Sequence, residues 1–113
     1  EKVEIFGDGN QVRDFVFISD ILDAIEISLE SDASFTVNIG SGTGVSVNEI
    51  FEILSKETLY KNKPIFKDKS SGDISRIILS NDKAKSDLNW SPKISIEEGL
   101  QKTSEWFKNN FYK

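Results

Sequence analysis

The chain has 113 residues, of which 37% are hydrophobic and 29% charged, and its formal net charge is -5. This length suits one domain with a modest core, and the acidic balance argues against a nucleic-acid partner. Because cysteine and histidine are both absent, we expect no disulfide framework, thiolate nucleophile or metal site. No apolar run approaches the roughly 20 residues that cross a bilayer, so we expect no membrane partner and a cytoplasmic location.

The N-terminal segment predicts a β-hairpin followed by a helix. Residues 3–6 alternate in polarity, residues 12–18 are rich in Val, Phe and Ile, and Gly7-Asp8-Gly9-Asn10 lies between them. An Asp-Gly turn between two such runs is a strong hairpin signal. Apolar residues then recur at helical spacing up to a helix end near Ser31, with Ser19 or Asp20 as the N-cap; they are Ile18, Ile21, Leu22, Ile25 and Leu29.

The middle of the chain predicts a strand, a glycine-rich loop and a second helix. Residues 36–39 form the strand, and Gly40-Ser41-Gly42-Thr43-Gly44 forms the loop. Ser46-Val47-Asn48-Glu49 is a capping box, in which the serine hydroxyl and the glutamate carboxylate bind each other's backbone N–H groups at a helix start. The predicted buried face of this helix consists of Val47, Ile50, Phe51 and Leu54.

The C-terminal half adds one strand and two helices. Residues 64–66 read as the strand, and a short helix starts at Ser80 and stops before Trp90. A second capping box, Ser95-Ile96-Glu97-Glu98, opens the last helix, whose predicted face is Ile96, Leu100, Thr103 and Phe107, with Trp106 beside it. Short strands alternating with four helices indicate a mixed α/β fold in one domain, residues 1–113.

The glycine-rich loop at 40–44 allows two interpretations. Glycines between a strand and a helix can let backbone N–H groups cradle a phosphate. The spacing here is G-x-G-x-G, which is neither the dinucleotide-binding pattern nor a P-loop. Glu49 would also place a carboxylate beside the anion at the helix N-terminus. We therefore favour a structural turn.

Arg13 also has two possible roles. As one of only two arginines in the chain, it could form a surface ion pair with Asp14 or another acid. Its planar guanidinium also suits bidentate recognition of a phosphate. The acidic runs at 20–30 and at Glu97-Glu98 are expected to be solvated helix faces, and no carboxylate pair is singled out as acid and base.

Several segments of the chain match the pattern of one protein family. The longest is the run from Ile5 to Asp20, IFGDGNQVRDFVFISD. Further matches follow in the same order along nearly the whole chain; they are Val37-Asn38-Ile39-Gly40-Ser41-Gly42, Gly72-Asp73-Ile74, Lys83-Ala84-Lys85, Leu88-Asn89-Trp90-Ser91-Pro92 and Ile96-Glu97-Glu98-Gly99-Leu100. Together these segments resemble the NAD-dependent epimerase/dehydratase family, the extended short-chain dehydrogenases/reductases that act on nucleotide sugars, in particular UDP-glucose 4-epimerases.

The resemblance implies that residues 1–113 are the small C-terminal domain that closes over the nucleotide diphosphate of the sugar donor. The backbone around Glu4 and Phe6 would meet the base, Arg13 the diphosphate, and Asp73 would lie near the ribose. The cofactor NAD would bind to the chain's own N-terminal Rossmann domain, outside these residues. The resemblance implies a UDP-sugar as the substrate and leaves dTDP- and GDP-sugar donors open. It also implies that the complete parent protein is a homodimer.

Two positions depart from the family's pattern. Many members carry an arginine two residues before Gly-Asp as a second diphosphate contact, and this chain has Ser70 there. Lys67 or Lys69 could replace it as a point charge but not as a planar fork. Many members also begin the short helix with aspartate, where this chain has Ser80, an acceptable N-cap.

Catalysis in the family uses a tyrosine with a lysine four residues later, as the resemblance implies. Tyr60 is followed four residues later by Pro64, and Tyr112 only by Lys113. We therefore expect no catalytic residue here and an inactive fragment of an active epimerase, dehydratase or reductase. The alternative is a stand-alone binding module of the same shape. A fragment should expose apolar side chains that met its partner domain, namely Phe15, Phe17 and Ile18.

Overall fold

The computed structural model describes residues 2–69 and 71–111, which form short strands and four helices, in agreement with the mixed α/β prediction. The strands are β1 (Glu4–Phe6), β2 (Val12–Asp14), β3 (Gly44–Ser46) and β4 (Ile65–Lys67). The helices are α1 (Ile18–Leu29), α2 (Val47–Thr58), α3 (Asp82–Leu88) and α4 (Ile96–Phe111). None of these helices is long and apolar enough to span a membrane.

The predicted N-terminal hairpin is wrong, because β1 and β2 pair with other strands. β1 lies parallel to β4, with Ile5 opposite Phe66, and β2 lies antiparallel to β3, with Arg13 opposite Val45. The segment at 7–10 instead packs on the start of α2, where the backbone N–H of Asn48 donates to the carbonyl of Gly9 at 3.0 Å. Gly9 has a φ of +75°, a conformation that suits glycine.

Strand β2 has neighbours on both sides. On the side away from β3, the N–H of Val12 donates to the carbonyl of Ser75, and the N–H of Ile77 donates to the carbonyl of Val12. Val12 and Arg76 form a parallel bridge there. Three segments that are distant in sequence therefore meet at β2, and the sequence reading had missed β3.

Helix α1 forms where predicted, but its cap and its orientation differ from the expectation. The N-cap is Phe17 rather than Ser19 or Asp20. Ala24 packs into the core with Ile27 beside it. The apolar stripe Ile18, Leu22, Ile25 and Leu29 points outward instead, with 50–81% of each residue exposed.

The predicted strand at 36–39 is not hydrogen-bonded into a sheet within the described residues. Its side chains nevertheless alternate as a strand's do, because Val37 and Ile39 are half-buried while Thr36 and Asn38 are exposed. The half-buried pair packs on the core. The strand prediction at 36–39 is therefore wrong, because no neighbouring strand pairs with this segment in the described part of the chain.

Both predicted capping serines begin helices. The hydroxyl of Ser46 accepts from the N–H of Glu49, and the Glu49 carboxylate accepts from the N–H of Ser46 at 2.8 Å, which completes the box. The hydroxyl of Ser95 accepts from the N–H of Glu98 at 3.2 Å. The carboxylate of Glu98 pairs with Lys102 instead of accepting from the N–H of Ser95, so among the described residues only half of this second predicted box is formed.

The remaining helices differ from the sequence reading in detail. Helix α3 has Asn81 rather than Ser80 as its N-cap residue. In α4 the buried residues are Gly99 and Ser104. Thr103 and Phe107, which the spacing placed on the inner face, are exposed.

The core of the chain is small for its surface. Its main cluster consists of Ala24, Ala84, Leu88 and Trp90. The chain exposes 8218 Å², whereas a monomer of 12.7 kDa is expected to expose about 6,200 Å². Its radius of gyration is 16.7 Å, against about 13 Å for a compact domain of this length.

The three side chains expected to be exposed, Phe15, Phe17 and Ile18, differ in their burial. Phe15 and Ile18 are exposed. Phe17 is half-buried, since its ring faces Gly99 and the ammonium of Lys102 lies 5.7 Å from the ring centroid. Two of the three residues therefore match the expectation.

Candidate functional site

Arg13 and Asp73 form the candidate site, and the structure brings them together across 60 positions of sequence. Nη2 of Arg13 donates to Oδ1 of Asp73 at 2.6 Å, and Nη1 donates to the carbonyl of Val12 at 2.9 Å. The two side chains are 29% and 24% exposed. The ion pair anticipated for Arg13 with Asp14 or another acid therefore exists, and its partner is Asp73.

A pocket of about 130 Å³ lies beside this pair. Its lining consists of Gly7, Asp8, Asn10, Gln11, Lys69, Asp73 and Ser75. Ser70, the position at which many members of the family that this chain resembles carry an arginine, lies outside the described residues. Asp73 lines the pocket, whereas Arg13 is not one of its lining residues and is connected to it by the ion pair with Asp73.

The turn that forms one wall of the pocket is held by Asp8. Its carboxylate accepts from the N–H of Asn10 at 2.9 Å and from the Asn10 side-chain amide at 3.1 Å. These two bonds, in that order, and more weakly the charge of Lys69 lower the pKa of Asp8 below its ordinary 3.8. Asp8 therefore stays ionised at neutral pH.

Glu4 and Phe6 lie on β1 beside the same turn. Nε2 of Gln11, a pocket residue, donates to the carbonyl of Phe6 at 2.8 Å. The carboxylate of Glu4 pairs with Lys67 at 3.3 Å. Phe6 is exposed. The structure thus places these two predicted residues next to the pocket rather than in its lining.

Asp14 is a residue that sequence reasoning did not identify as important. Its carboxylate accepts from the N–H and hydroxyl of Ser41 at 2.7 and 2.6 Å, the N–H of Gly42 at 3.0 Å and the N–H of Leu79 at 3.2 Å. Burial acts to raise the pKa of Asp14, but the bonds from Ser41, Leu79 and Gly42 together outweigh it and lower that pKa below 3.8.

The bonds to Asp14 also decide between the two interpretations of the glycine-rich loop. The N–H groups of Ser41 and Gly42, which would have cradled a phosphate, donate to the carboxylate of Asp14. The loop therefore already holds an anion supplied by the chain itself. This supports the interpretation of the loop at 40–44 as a structural turn. It adds to the earlier argument from the carboxylate of Glu49.

Asp20 corrects the expectation that its acidic segment is solvated. It is 1% exposed, and Oδ2 accepts from the N–H groups of Lys93 and Ile94 at 3.1 Å each. Its neighbour Asp23 is less deeply placed and pairs with the Lys93 ammonium. The signal that could have identified Asp20 is its position among apolar residues of the helix.

A larger groove, of about 390 Å³, is less suited to binding an anion. It runs between the loop near Ser41 and the segment from Pro92 to Glu97. Lys93 is the only basic residue of its lining, and its ammonium is held by Asp23 at 2.5 Å. The smaller pocket at Asp73 is therefore the better candidate for a phosphorylated ligand.

Comparison with known proteins defines the class of this chain. A family profile described as GDP-mannose 4,6 dehydratase matches residues 1–103. The chain belongs to this family, which the resemblance described above had identified as the epimerases and dehydratases of nucleotide sugars.

Individual relatives make the likeness more specific. UDP-glucuronate 4-epimerase of Thermodesulfobacterium geofontis is 40% identical over 111 residues, which are 97% of this chain and 34% of that protein. The crystal structure of UDP-glucose 4-epimerase from Thermotoga maritima with UDP-glucose is 42% identical and superposes with a TM-score of 0.92, over 96% of this chain and 35% of that one.

A dehydratase is similar as well. The structure of dTDP-glucose 4,6-dehydratase from Bacillus anthracis in complex with NAD is 30% identical, with a TM-score of 0.84 over 97% of this chain and 35% of that one. The chain thus spans about a third of the length of the relatives that it matches.

Proposed function

We propose that this chain is the nucleotide-sugar-binding part of an NAD-dependent epimerase or dehydratase that acts on a UDP-sugar. In this role Arg13 binds the diphosphate, Asp73 lies at the ribose, and the backbone around Glu4 and Phe6 lies at the base. The single observation that carries the proposal is the meeting of Arg13 with Asp73, which are assigned neighbouring parts of one ligand.

The geometry of that pair suits a phosphate site. One guanidinium nitrogen of Arg13 bonds to Asp73 and another to the carbonyl of Val12, so the side chain is held in place before a ligand arrives. A guanidinium offers five donors in a planar fork, and two bonds leave others for a phosphate oxygen. Because both side chains are only partly exposed, charge-assisted bonds there are stronger than on an open surface.

The surface of the chain supports a second part of the proposal, namely that a partner domain of the same protein covers it. Three features of the described residues suit contact with a neighbouring domain. They are the outward apolar stripe of α1, the strand-like segment at 36–39, which pairs with no strand in this part of the chain, and the excess of exposed area. The occupant we propose is the family's dinucleotide-binding domain, because the matched relatives are about three times longer than this chain.

The chemistry is then divided between the two parts. NAD, which some structural relatives carry, would supply hydride transfer in the other domain. The residues described here would bind and orient the donor, and the 113-residue chain alone would not turn over substrate.

The proposal is tested by titrating the complete protein with UDP. Arg13→Ala should weaken UDP binding about tenfold to a hundredfold, as expected for charged hydrogen bonds shielded from water. Arg13→Lys should restore only part of the affinity, because the fork is lost. Unchanged UDP affinity in Arg13→Ala would show that Arg13 serves only its ion pair.

Arg76→Ala is the matched control for this experiment. Arg76 is bridged to Val12 on the strand-like segment beside β2. Since side chains alternate between faces along a strand, Arg76 belongs to the face opposite Arg13. We expect its removal to leave UDP binding unchanged.

A further inference from the structure

Lys67 and Lys69 differ in whether a carboxylate already holds the side-chain ammonium, and this matters for binding an anion. The ammonium of Lys67 is held by the carboxylate of Glu4 at 3.3 Å, whereas Lys69 lines the same pocket as Asp73. Within residues 2–69 and 71–111, no carboxylate lies within ion-pairing distance of the Lys69 ammonium. The structure therefore distinguishes between two lysines that the sequence alone offered as equal substitutes for the arginine.

The position of Lys69 is fixed by the backbone of Gly7. The N–H of Gly7 donates to the carbonyl of Lys67 at 2.9 Å, which ties the end of β4 to the turn. A Cβ atom placed on Gly7 would lie 3.7 and 3.8 Å from Cγ and Cβ of Lys69, so the stem of this lysine covers the glycine. Lys69 is exposed, and its stem, packed over Gly7, makes it part of the pocket lining.

The charges around the pocket favour an additional cation if the ligand is an anion. Asp8 and Asp73 supply two carboxylates, and Arg13, which is bonded to Asp73, supplies one positive charge. Without Lys69 this group would be net negative and would repel a diphosphate. With Lys69 the group is neutral, and the Lys69 ammonium, which is outside ion-pairing distance of the described carboxylates, can turn toward an incoming phosphate.

We propose that Lys69 is the second cationic contact to the diphosphate, in place of an arginine at Ser70. This inference rests on the proposed function, since it assigns a further residue to the same nucleotide site. A lysine provides a strongly hydrated point charge without the bidentate fork of arginine. Lys69 therefore binds the diphosphate by charge and imposes less geometry on it.

The test is a titration of the complete protein with UDP and, in parallel, with uridine, which lacks the phosphates. Lys69→Ala should weaken UDP about three- to tenfold, the range of one exposed charged contact, and leave uridine unchanged. Lys69→Arg should bind UDP at least as tightly as the original protein. Raising the salt concentration should narrow the difference between Lys69→Ala and the original protein, because salt screens this contact.

Two control variants accompany it. Lys63→Ala makes the same change of charge beyond the far end of β4 and should leave UDP affinity unchanged. Lys67→Ala removes the lysine held by Glu4 and should change it less than Lys69→Ala does. Equal losses of UDP and uridine affinity in Lys69→Ala, a larger effect in Lys67→Ala or no rescue by Lys69→Arg would each overturn the inference.

The failure of this inference can be told apart from that of the proposed function. If the original protein binds UDP and Arg13→Ala weakens it while Lys69→Ala does not, only the role of Lys69 is lost. If the original protein does not bind UDP at all, the nucleotide site fails and the role of Lys69 fails with it.

Discussion

The indole N–H of Trp90 donates to the backbone carbonyl of Asp20 at 2.9 Å. Both residues are almost fully buried, at 2% and 1% exposed. The carboxylate of the same aspartate binds the N–H groups of Lys93 and Ile94. One residue of α1 therefore fixes both the core tryptophan and the segment that leads into α4.

Asp20→Ala should destabilise this junction by about 2–3 kcal/mol, because it leaves two partly buried N–H groups without an acceptor. Asp20→Asn should cost less, since its carbonyl oxygen can take the place of Oδ2. Amide hydrogen exchange of Lys93 and Ile94 in the complete protein measures the effect locally. Asp23→Ala is the control at a more open position, and equal exchange in both alanine variants would contradict the assignment.

Local patterns predicted the elements of this fold better than their partners. The helix starts at Ser46 and Ser95 follow from capping chemistry within four residues. The turn at 7–10 was also recognised, but the partner of β1 is β4, about 60 residues away. An Asp-Gly signal gives no information on such a distant pairing. In this fold α2 packs on the turn at 7–10, and the strands on either side of the turn, β1 and β2, pair with other strands.

Ser46→Ala should lower the stability of the first turn of α2 by about 1 kcal/mol. The hydroxyl binds the N–H of Glu49, and both groups of the box are satisfied in the structure. Faster amide exchange of Glu49 is the readout, with Ser55→Ala, in the interior of the same helix, as the control. Ser46→Asp, which retains an acceptor, should keep most of the protection, and a loss as large as that in alanine would argue against capping.

The bonds of Asp14 predict a pH dependence of stability. The folded-state pKa of Asp14 lies below its ordinary 3.8, so its contribution is fully present above about pH 4 and is lost as the pH falls through the lower folded value. Asp14→Asn should therefore be less stable than the original protein by about 1–2 kcal/mol at neutral pH. This difference should shrink below about pH 4.

Urea denaturation of the complete protein at several pH values, or hydrogen exchange at Ser41 and Leu79, measures this difference. Asp68→Asn removes the same charge from an exposed position and should show no such convergence. A difference between Asp14→Asn and the original protein that stayed constant down to about pH 2 would mean that Asp14 acts by its shape rather than its charge.

The candidate site was predictable only in part, for a physical reason. Arg13 and Asp73 were proposed from the resemblance, but their direct bond depends on the segment that follows Asp73 running beside β2, which no local pattern encodes. Asp14 was passed over because its four donors come from two distant segments, around Ser41 and at Leu79. The choice between Lys67 and Lys69 likewise required knowing that Glu4 faces Lys67.

The bond between Arg13 and Asp73 leads to the last prediction, which concerns selectivity. In the proposed site Asp73 has two effects, because it lies at the ribose and it also accepts a hydrogen bond from the guanidinium of Arg13 at 2.6 Å.

Asp73→Asn should weaken UDP binding about tenfold through the lost ribose contact. It should not weaken the binding of inorganic pyrophosphate, and a gain of up to about fivefold is expected because the negative charge of Asp73 no longer repels an anion beside Arg13. Competition titrations of the complete protein with both ligands measure the ratio, and Asp8→Asn, which removes a pocket carboxylate that Asn10 holds, should affect both ligands alike. Proportional losses of UDP and pyrophosphate in Asp73→Asn would instead mean that Asp73 only positions Arg13.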